Sequence, residues 1–179
     1  MRGLWIQGMV AVLVLLGAGN GWAASYEGTA QQSDYQIQFC DKFSMIEWQF
    51  IATTLQEMEA TPYPVDSYFQ TAGCRPGGYS DAIRSPIFHL IADDTSKREK
   101  FLDILYLYYT KKRHEPAKFV EAINAKNTKG ETLLDYFASQ SKNGRYNAGL
   151  QASADKIIEF ACSHGAVYSA YPNKKCPGQ

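Results

Sequence analysis

An all-α chain of stacked helix-turn-helix pairs is what this sequence predicts, and three observations carry the prediction. Residues 123–166 run in the order polar turn, glycine, short helix, loop, second helix and a closing Gly165-Ala166. That order is the grammar of a repeat unit that buries its apolar face only against a neighbour. Apolar residues recur at spacings of three and four through most of the chain, which is the helical period. No segment alternates apolar and polar residues as a half-buried strand would. The expected architecture is a short solenoid with an N-terminal helix in front and a disulfide-linked C-terminal tail behind. Such stacks bind other macromolecules far more often than they carry out chemistry.

The first residues stand apart from the fold. Arg2 supplies a positive start, residues 9–16 an uninterrupted apolar run, and Gly21-Trp22-Ala23 small residues at the two positions a signal peptidase reads. Residues 1–23 therefore read as a secretory signal peptide, cut after Ala23 or Ala24. The run is well short of the ~20 apolar residues of a spanning helix, and no second run of that length follows. The expectation is an exported, periplasmic or secreted protein with no stable membrane anchor. Removing Arg2 from the 18 basic residues leaves 17 against 18 acidic ones in a mature chain of about 155 residues, enough for one domain. This balance argues against nucleic acid, which needs a surplus of Lys and Arg on one face.

Residues 24–40 read as a flexible lead-in and residues 41–179 as a single helical domain. From Asp41, Phe43, Ile46, Phe50, Ile51, Leu55 and Met58 predict one helix that ends at Thr61-Pro62-Tyr63-Pro64. Residues 65–72 predict a short helix closed by Gly73 as a left-handed cap. Ser85 and Pro86 predict the cap and first turn of another helix. Residues 97–112 predict the longest helix, and residues 117–122 a further turn or two. Thr132 predicts a helix start with Asp135 answering it in a capping box. Residues 139–149 read as a polar loop, and Ser153 as the cap of a last helix that Gly165 ends.

Cys40, Cys74, Cys162 and Cys176 all lie in the exported part, so two disulfides are expected. Three connectivities are possible. Cys40–Cys74 with Cys162–Cys176 is preferred because each pair shares one end of the chain. A zinc site is disfavoured, since no Cys-x-x-Cys or close Cys-His spacing occurs.

Gly130-Glu131-Thr132-Leu133-Leu134-Asp135-Tyr136-Phe137-Ala138 resembles the Gly-x-Thr-Pro-Leu-His-x-Ala-Ala signature of the ankyrin-repeat family. Leu133 stands in the proline position and Asp135 in the histidine position. Residues 124–127 look like the polar turn before it, and residues 157–166 like the second helix with its terminal Gly-Ala. Ser85-Pro86-Ile87 is similar to Thr-Pro-Leu, although Ile83 replaces the turn glycine and Phe88 the histidine. Residues 65–74 look like another second helix. The resemblance spans residues 44–169 as about three units of the ~33-residue class, with an insertion of about a dozen residues near 110–118. It implies that a protein partner meets the projecting turns and the concave face of the first helices. Carried over, those positions are Ser80, Asp81, Ala82, Arg84, Asp93, Lys126, Thr128, Lys129, Glu131, Ser139 and Gln140, with Tyr79, Tyr136 and Tyr146 as aromatic anchors.

The chemistry-bearing residues have plainer explanations. His89 sits on an apolar helix with no histidine at helical spacing, and reads as a core residue. His164 and the run Lys111-Lys112-Arg113-His114 read as charge complementing helix C-termini. Among the carboxylate pairs Glu57/Glu59, Asp93/Asp94 and Glu131/Asp135, the last shares a helix start, but capping explains it without catalysis. No nucleotide loop, nucleophile elbow or metalloprotease motif occurs, so neither enzymatic activity nor a cofactor or metal is expected. The expected function is a periplasmic immunity or inhibitor protein that neutralises a toxin or lytic enzyme. A small secreted hydrolase using paired carboxylates, or an envelope scaffold, is the alternative.

Overall fold

The computed structural model describes residues 30–45, 47–75, 83–93 and 95–178. The leader with its cleavage point, and Tyr79, Ser80, Asp81 and Ala82, lie outside the described residues. The described chain is all-α. Helices α1 (Ala30–Met45), α2 (Ile51–Glu59), α3 (Val65–Gln70), α4 (Thr95–Leu107), α5 (Pro116–Ile123), α6 (Leu133–Lys142) and α7 (Ala148–Ser163) are joined by 3-10 segments at Trp48–Phe50 and Ile87–Asp93 and a π-helical turn at Tyr108–Lys112. The extended pairing among the described residues is an isolated antiparallel bridge between Cys74 and Ser85.

The lead-in expected at residues 24–40 is corrected by α1, which is helical from Ala30. The sequence hid this helix because its inward face carries glutamines. Gln32 and Gln36 are buried beside Phe39 and Cys40, and glutamine is a good helix former. The single helix expected after Asp41 is divided. α1 ends at Met45, and α2 starts at Ile51 after the 3-10 turn and packs against α1. A continuous helix would spread these apolar residues over a wide arc. The break lets Phe43 on α1 and Ile51, Leu55 and Met58 on α2 bury together while Met45 and Phe50 stay exposed.

Ser85 does not cap an α-helix. Its backbone exchanges two 2.8 Å hydrogen bonds with Cys74, and the next residues form the 3-10 segment Ile87–Asp93, buried from Ile87 to Ala92. Gly73 is likewise not a left-handed cap. A Cβ there would lie 2.2 Å from Gln36 Cγ, so the glycine permits close approach of the chain to α1. Gly165 does close α7 in the expected manner, with φ +94. α6 runs on to Lys142 inside the expected loop. α7 begins at Ala148, earlier than Ser153 implied, because Asn147 Oδ1 accepts from Leu150 N at 3.0 Å.

α1 packs on α2 and on the 3-10 segment 87–93; that segment packs in turn on α4 and on α6; α4 packs on α2 and most extensively on α7; α6 packs on α7. α3 and α5 lie against each other and cover the join between the 3-10 segment and the π turn. A run of rings passes through the centre: Phe43 to Phe69 (5.9 Å between centroids), Phe69 to Phe88 (5.4 Å), Phe88 to Phe119 (5.9 Å). The edge-to-face packing of the first and third pairs and the tilted packing of the second add to the apolar burial of each ring. Both disulfides take the preferred pairing. Cys40–Cys74 ties α1 to the segment after α3, and Cys162–Cys176 ties the tail to α7.

The basic run at 111–114 is not a simply solvated helix end. Lys112 meets Glu59 at 2.7 Å, and Arg113 makes two hydrogen bonds to Asp66 (2.6 and 3.1 Å) and a contact with Glu115 at 2.5 Å. The Arg113 guanidinium lies 5.3 Å from the Tyr109 ring. Burial works against its charge, but the Asp66 carboxylate more than offsets this and its pKa rises. The Lys112 hydrogen bond holds Glu59 below the usual carboxylate range. The run thus joins α2, α3 and the π turn.

Candidate protein-binding face

The site is built from backbone turns. Asn127 organises the middle one: its Oδ1 accepts from Lys129 N and Glu131 N, both at 2.9 Å, and its Nδ2 donates to Glu131 Oε2 at 2.9 Å. Asn127 N also donates to Glu131 O at 2.9 Å. An asparagine that bonds its own backbone two and four residues on replaces a helical or strand ladder and fixes a tight loop. Asn127 is buried by this work, which leaves Lys126, Thr128 and Lys129 exposed at the tip.

This turn is bonded to the turns on either side. Thr128 N donates to Arg84 O at 2.9 Å, and Arg84 N donates to Thr128 Oγ1 at 3.0 Å. Asn124 Nδ2 donates to Gly165 O at 2.8 Å and Asn124 Oδ1 accepts from Val167 N at 2.9 Å. Arg84, the 124–129 loop and the 165–168 loop therefore form one continuous edge. Arg84 is half-buried and Val167 is 53% exposed.

Beneath the edge, buried polar side chains join each helix start to the next loop. His89 Nε2 lies 3.1 Å from Glu131 O and donates to it. The ring is wholly buried against Tyr136 and its Nδ1 has no hydrogen-bond partner. Burial lowers its pKa to about 4, so the ring is neutral. Asp135 makes the matching join at the start of α6. It accepts from Thr132 N (3.0 Å) in the expected capping box, and from Ser169 N and Ala170 N (3.0 Å each). Thr132 Oγ1 lies 2.8 Å from Val167 O and donates to it.

Other predicted contact residues are placed differently. Tyr136 is fully buried, its hydroxyl donating to Asp93 Oδ1 at 2.6 Å, so it is no exposed anchor and Asp93 is engaged inside the protein. Tyr146 is half-buried and donates to Ala92 O at 2.8 Å; burial pushes its phenol pKa up. Glu131 and Gln140 are buried, and Ser139 is half-buried. α6 is closed off along its whole first half, from Leu133 to Ala138, because the 3-10 segment and α7 both pack on it. The concave helix face expected to carry Glu131, Tyr136 and Gln140 is therefore interior. Glu131 and Asp135, the pair that could suggest a hydrolase, hold a turn and a cap.

Sequence reasoning missed Asn124, Asn127, Val167, Lys174 and Lys175. The asparagines carried a legible signal, since both sit in a polar turn before a glycine. The last three lay beyond Gly165, where the chain read only as a tail. Among the described residues no group of His, Cys, Asp and Glu is placed to hold a metal ion, and no helix is long and apolar enough to cross a membrane. Comparison with family models, with curated proteins and with solved structures finds no match.

Proposed function

We propose that this chain is an exported protein-binding module, an ankyrin-like stack of three helix pairs whose turn edge meets its partner. Within that class we read it as a periplasmic immunity or inhibitor protein that blocks a toxin or lytic enzyme. The observation that carries the reading is the bonded edge: consecutive turns hold one another through backbone and asparagine hydrogen bonds while Lys126, Thr128 and Lys129 stay exposed. Rigid polar tips on a packed scaffold lose little entropy on binding.

The packing order supports the stack. Taken as pairs, α1 with α2, the 3-10 segment with α4, and α6 with α7 set first helix against first helix and second against second. The ties between turns recur at near-equal separations, 44 residues from Arg84 to Thr128 and 43 from Asn124 to Val167. These exceed the ~33 residues of the repeat class, and the excess is taken up by α5 and the π turn in the first interval. The first pair is then α1 with α2, beginning ahead of the residues 44–169 that carry the resemblance, and α3, which the sequence suggested as a second helix, becomes an insertion.

Capture from the producing cell with the oxidised protein, compared with K126E/K129E, tests the reading. One exported partner is expected on the wild type and is lost on the variant, and its toxic or lytic activity falls when the wild-type protein is added. No specific partner, or equal capture by the variant, refutes the proposal.

A further inference from the structure

Beyond the turn edge, the tail builds a small cleft. Ala166, Val167 and Tyr168 form one wall, and Lys174, Lys175 and Cys176 the other, around a cavity of about 280 Å³. The tail reverses at Tyr171, whose carbonyl accepts from Lys174 N at 2.9 Å, and the Cys162–Cys176 disulfide anchors it to α7. Cys176 Sγ sits 3.6 Å from Ala166 O, which closes the base of the cleft. Lys174 Nζ lies 6.0 Å from the Tyr168 ring centroid, at the limit of a cation–π contact between the two walls.

The charged side chains of the tail segment itself are all basic. Residues 164–179 contain no Asp or Glu. Two carboxylates act on Tyr168 from α6 and α7: Asp135, which accepts from the Ser169 and Ala170 amides, and Asp155, which accepts from Gln151 at 2.7 Å. By contrast, Lys42, Lys112, Arg113 and Lys118 each pair with a carboxylate elsewhere in the fold. A chain with equal numbers of acidic and basic residues thus presents two exposed lysines beside an exposed valine and a half-buried tyrosine.

We propose that this cleft is a subsite for an acidic protein surface, seating an Asp or Glu side chain between Lys174 and Lys175 with an apolar neighbour against Val167 and Tyr168. The cleft is concave and small, and two lysines are too few to hold a nucleic acid backbone at physiological salt. It adjoins the turn edge through Val167, so the inference rests on the protein-binding reading and extends it by naming the partner's chemistry. It also assigns the C-terminal disulfide a role, since that bond carries one wall.

Selection of displayed random peptides on the oxidised protein tests it. Enriched sequences should carry Asp or Glu beside an apolar residue. Binding of the leading synthetic peptide by calorimetry should weaken about tenfold in K174E/K175E, equivalent to ~1.4 kcal/mol, and be unchanged in K142E on the exposed end of α6. Enriched peptides without acidic bias, equal affinity for K174E/K175E, or tighter binding to phosphatidylglycerol vesicles than to the peptide would overturn the inference. Capture of the cellular partner separates the two proposals. A partner retained by K174E/K175E but lost by K126E/K129E ends the cleft and leaves the edge standing. If no partner is captured the edge reading fails, and the peptide result still decides the cleft.

Discussion

His89 should make the protein lose stability in mildly acidic solution, beginning above the range where carboxylates titrate. The imidazole is wholly buried, donates through Nε2 to Glu131 O, and has a pKa near 4 against an ordinary value of 6.5. Protonation would put a second proton on Nδ1, which has no partner. The surrounding groups do not rescue the charge: Tyr136 packs against the ring, and the Glu131 and Thr132 backbone and Asp135 favour the cation but are outweighed by burial. Between about pH 6.5 and 4 the unfolded chain therefore binds a proton that the folded chain refuses, and stability falls as pH drops. The contribution is intact above the unfolded value and is lost by the folded one. A shift of about two and a half units at ~1.4 kcal/mol each gives a loss of roughly 3–4 kcal/mol across the window. Urea unfolding at fixed ionic strength, repeated in pH steps through that range, measures it. The control is H89Q, whose amide can still donate to Glu131 O but does not titrate; it should be less stable at neutral pH by ~1–2 kcal/mol and nearly flat through the window. A wild-type slope that survives in H89Q, or no wild-type slope at all, would refute the reasoning.

Other perturbations have defined outcomes. G73A should destabilise by ~1–3 kcal/mol in chemical unfolding, because the added methyl collides with Gln36 Cγ and displaces Gln36 Nε2 from Tyr68 O, now 3.0 Å away. D135N keeps the shape of the cap but replaces a charged acceptor of the Thr132, Ser169 and Ala170 amides with a neutral amide; a loss of ~2–3 kcal/mol is expected, read as a lower melting temperature. C162A/C176A opens the loop between residues 14 apart and should cost ~3 kcal/mol, with faster proteolysis of the tail than of α7 by mass spectrometry. An unchanged melting temperature in any of the three would remove the contact concerned from the account of stability.

The legible parts of this fold were those in which one residue type has one physical use. Thr132 with Asp135 announced a helix start because hydroxyl and carboxylate at that spacing satisfy orphan amides reciprocally. Gly165 announced a stop because its φ of +94 suits few other residues. The cysteine pairing followed from position along the chain. Illegible parts depended on distant partners. α1 looked like a polar lead-in because Gln36 is buried only once Tyr68 O and the Cys40–Cys74 disulfide surround it. The 3-10 segment Ile87–Asp93 looked like an ordinary capped helix until the bridge between Ser85 and Cys74 fixed its entry. Of the candidate face, the turn tips at Lys126, Thr128 and Lys129 were readable as exposed polar residues. The burial of Tyr136, Glu131 and Gln140 was not, because helical period alone cannot show that both sides of α6 are covered.

What sets the register between these helical segments is polar. Apolar surfaces between helices tolerate sliding by a fraction of a turn, since dispersion and hydrophobic burial are non-directional. A hydrogen bond that satisfies a buried donor or acceptor does not slide, because the displaced group stays buried and unpaired. His89 reaches the loop 42 residues ahead, and Asp135 reaches the loop 34 residues ahead. Each leaves the start of one helical segment and ends on the next turn, so the exposed edge inherits its spacing from them. A neutral imidazole at one join and a carboxylate at the other do the same work: each bonds backbone groups of the next turn that would otherwise stay buried and unpaired.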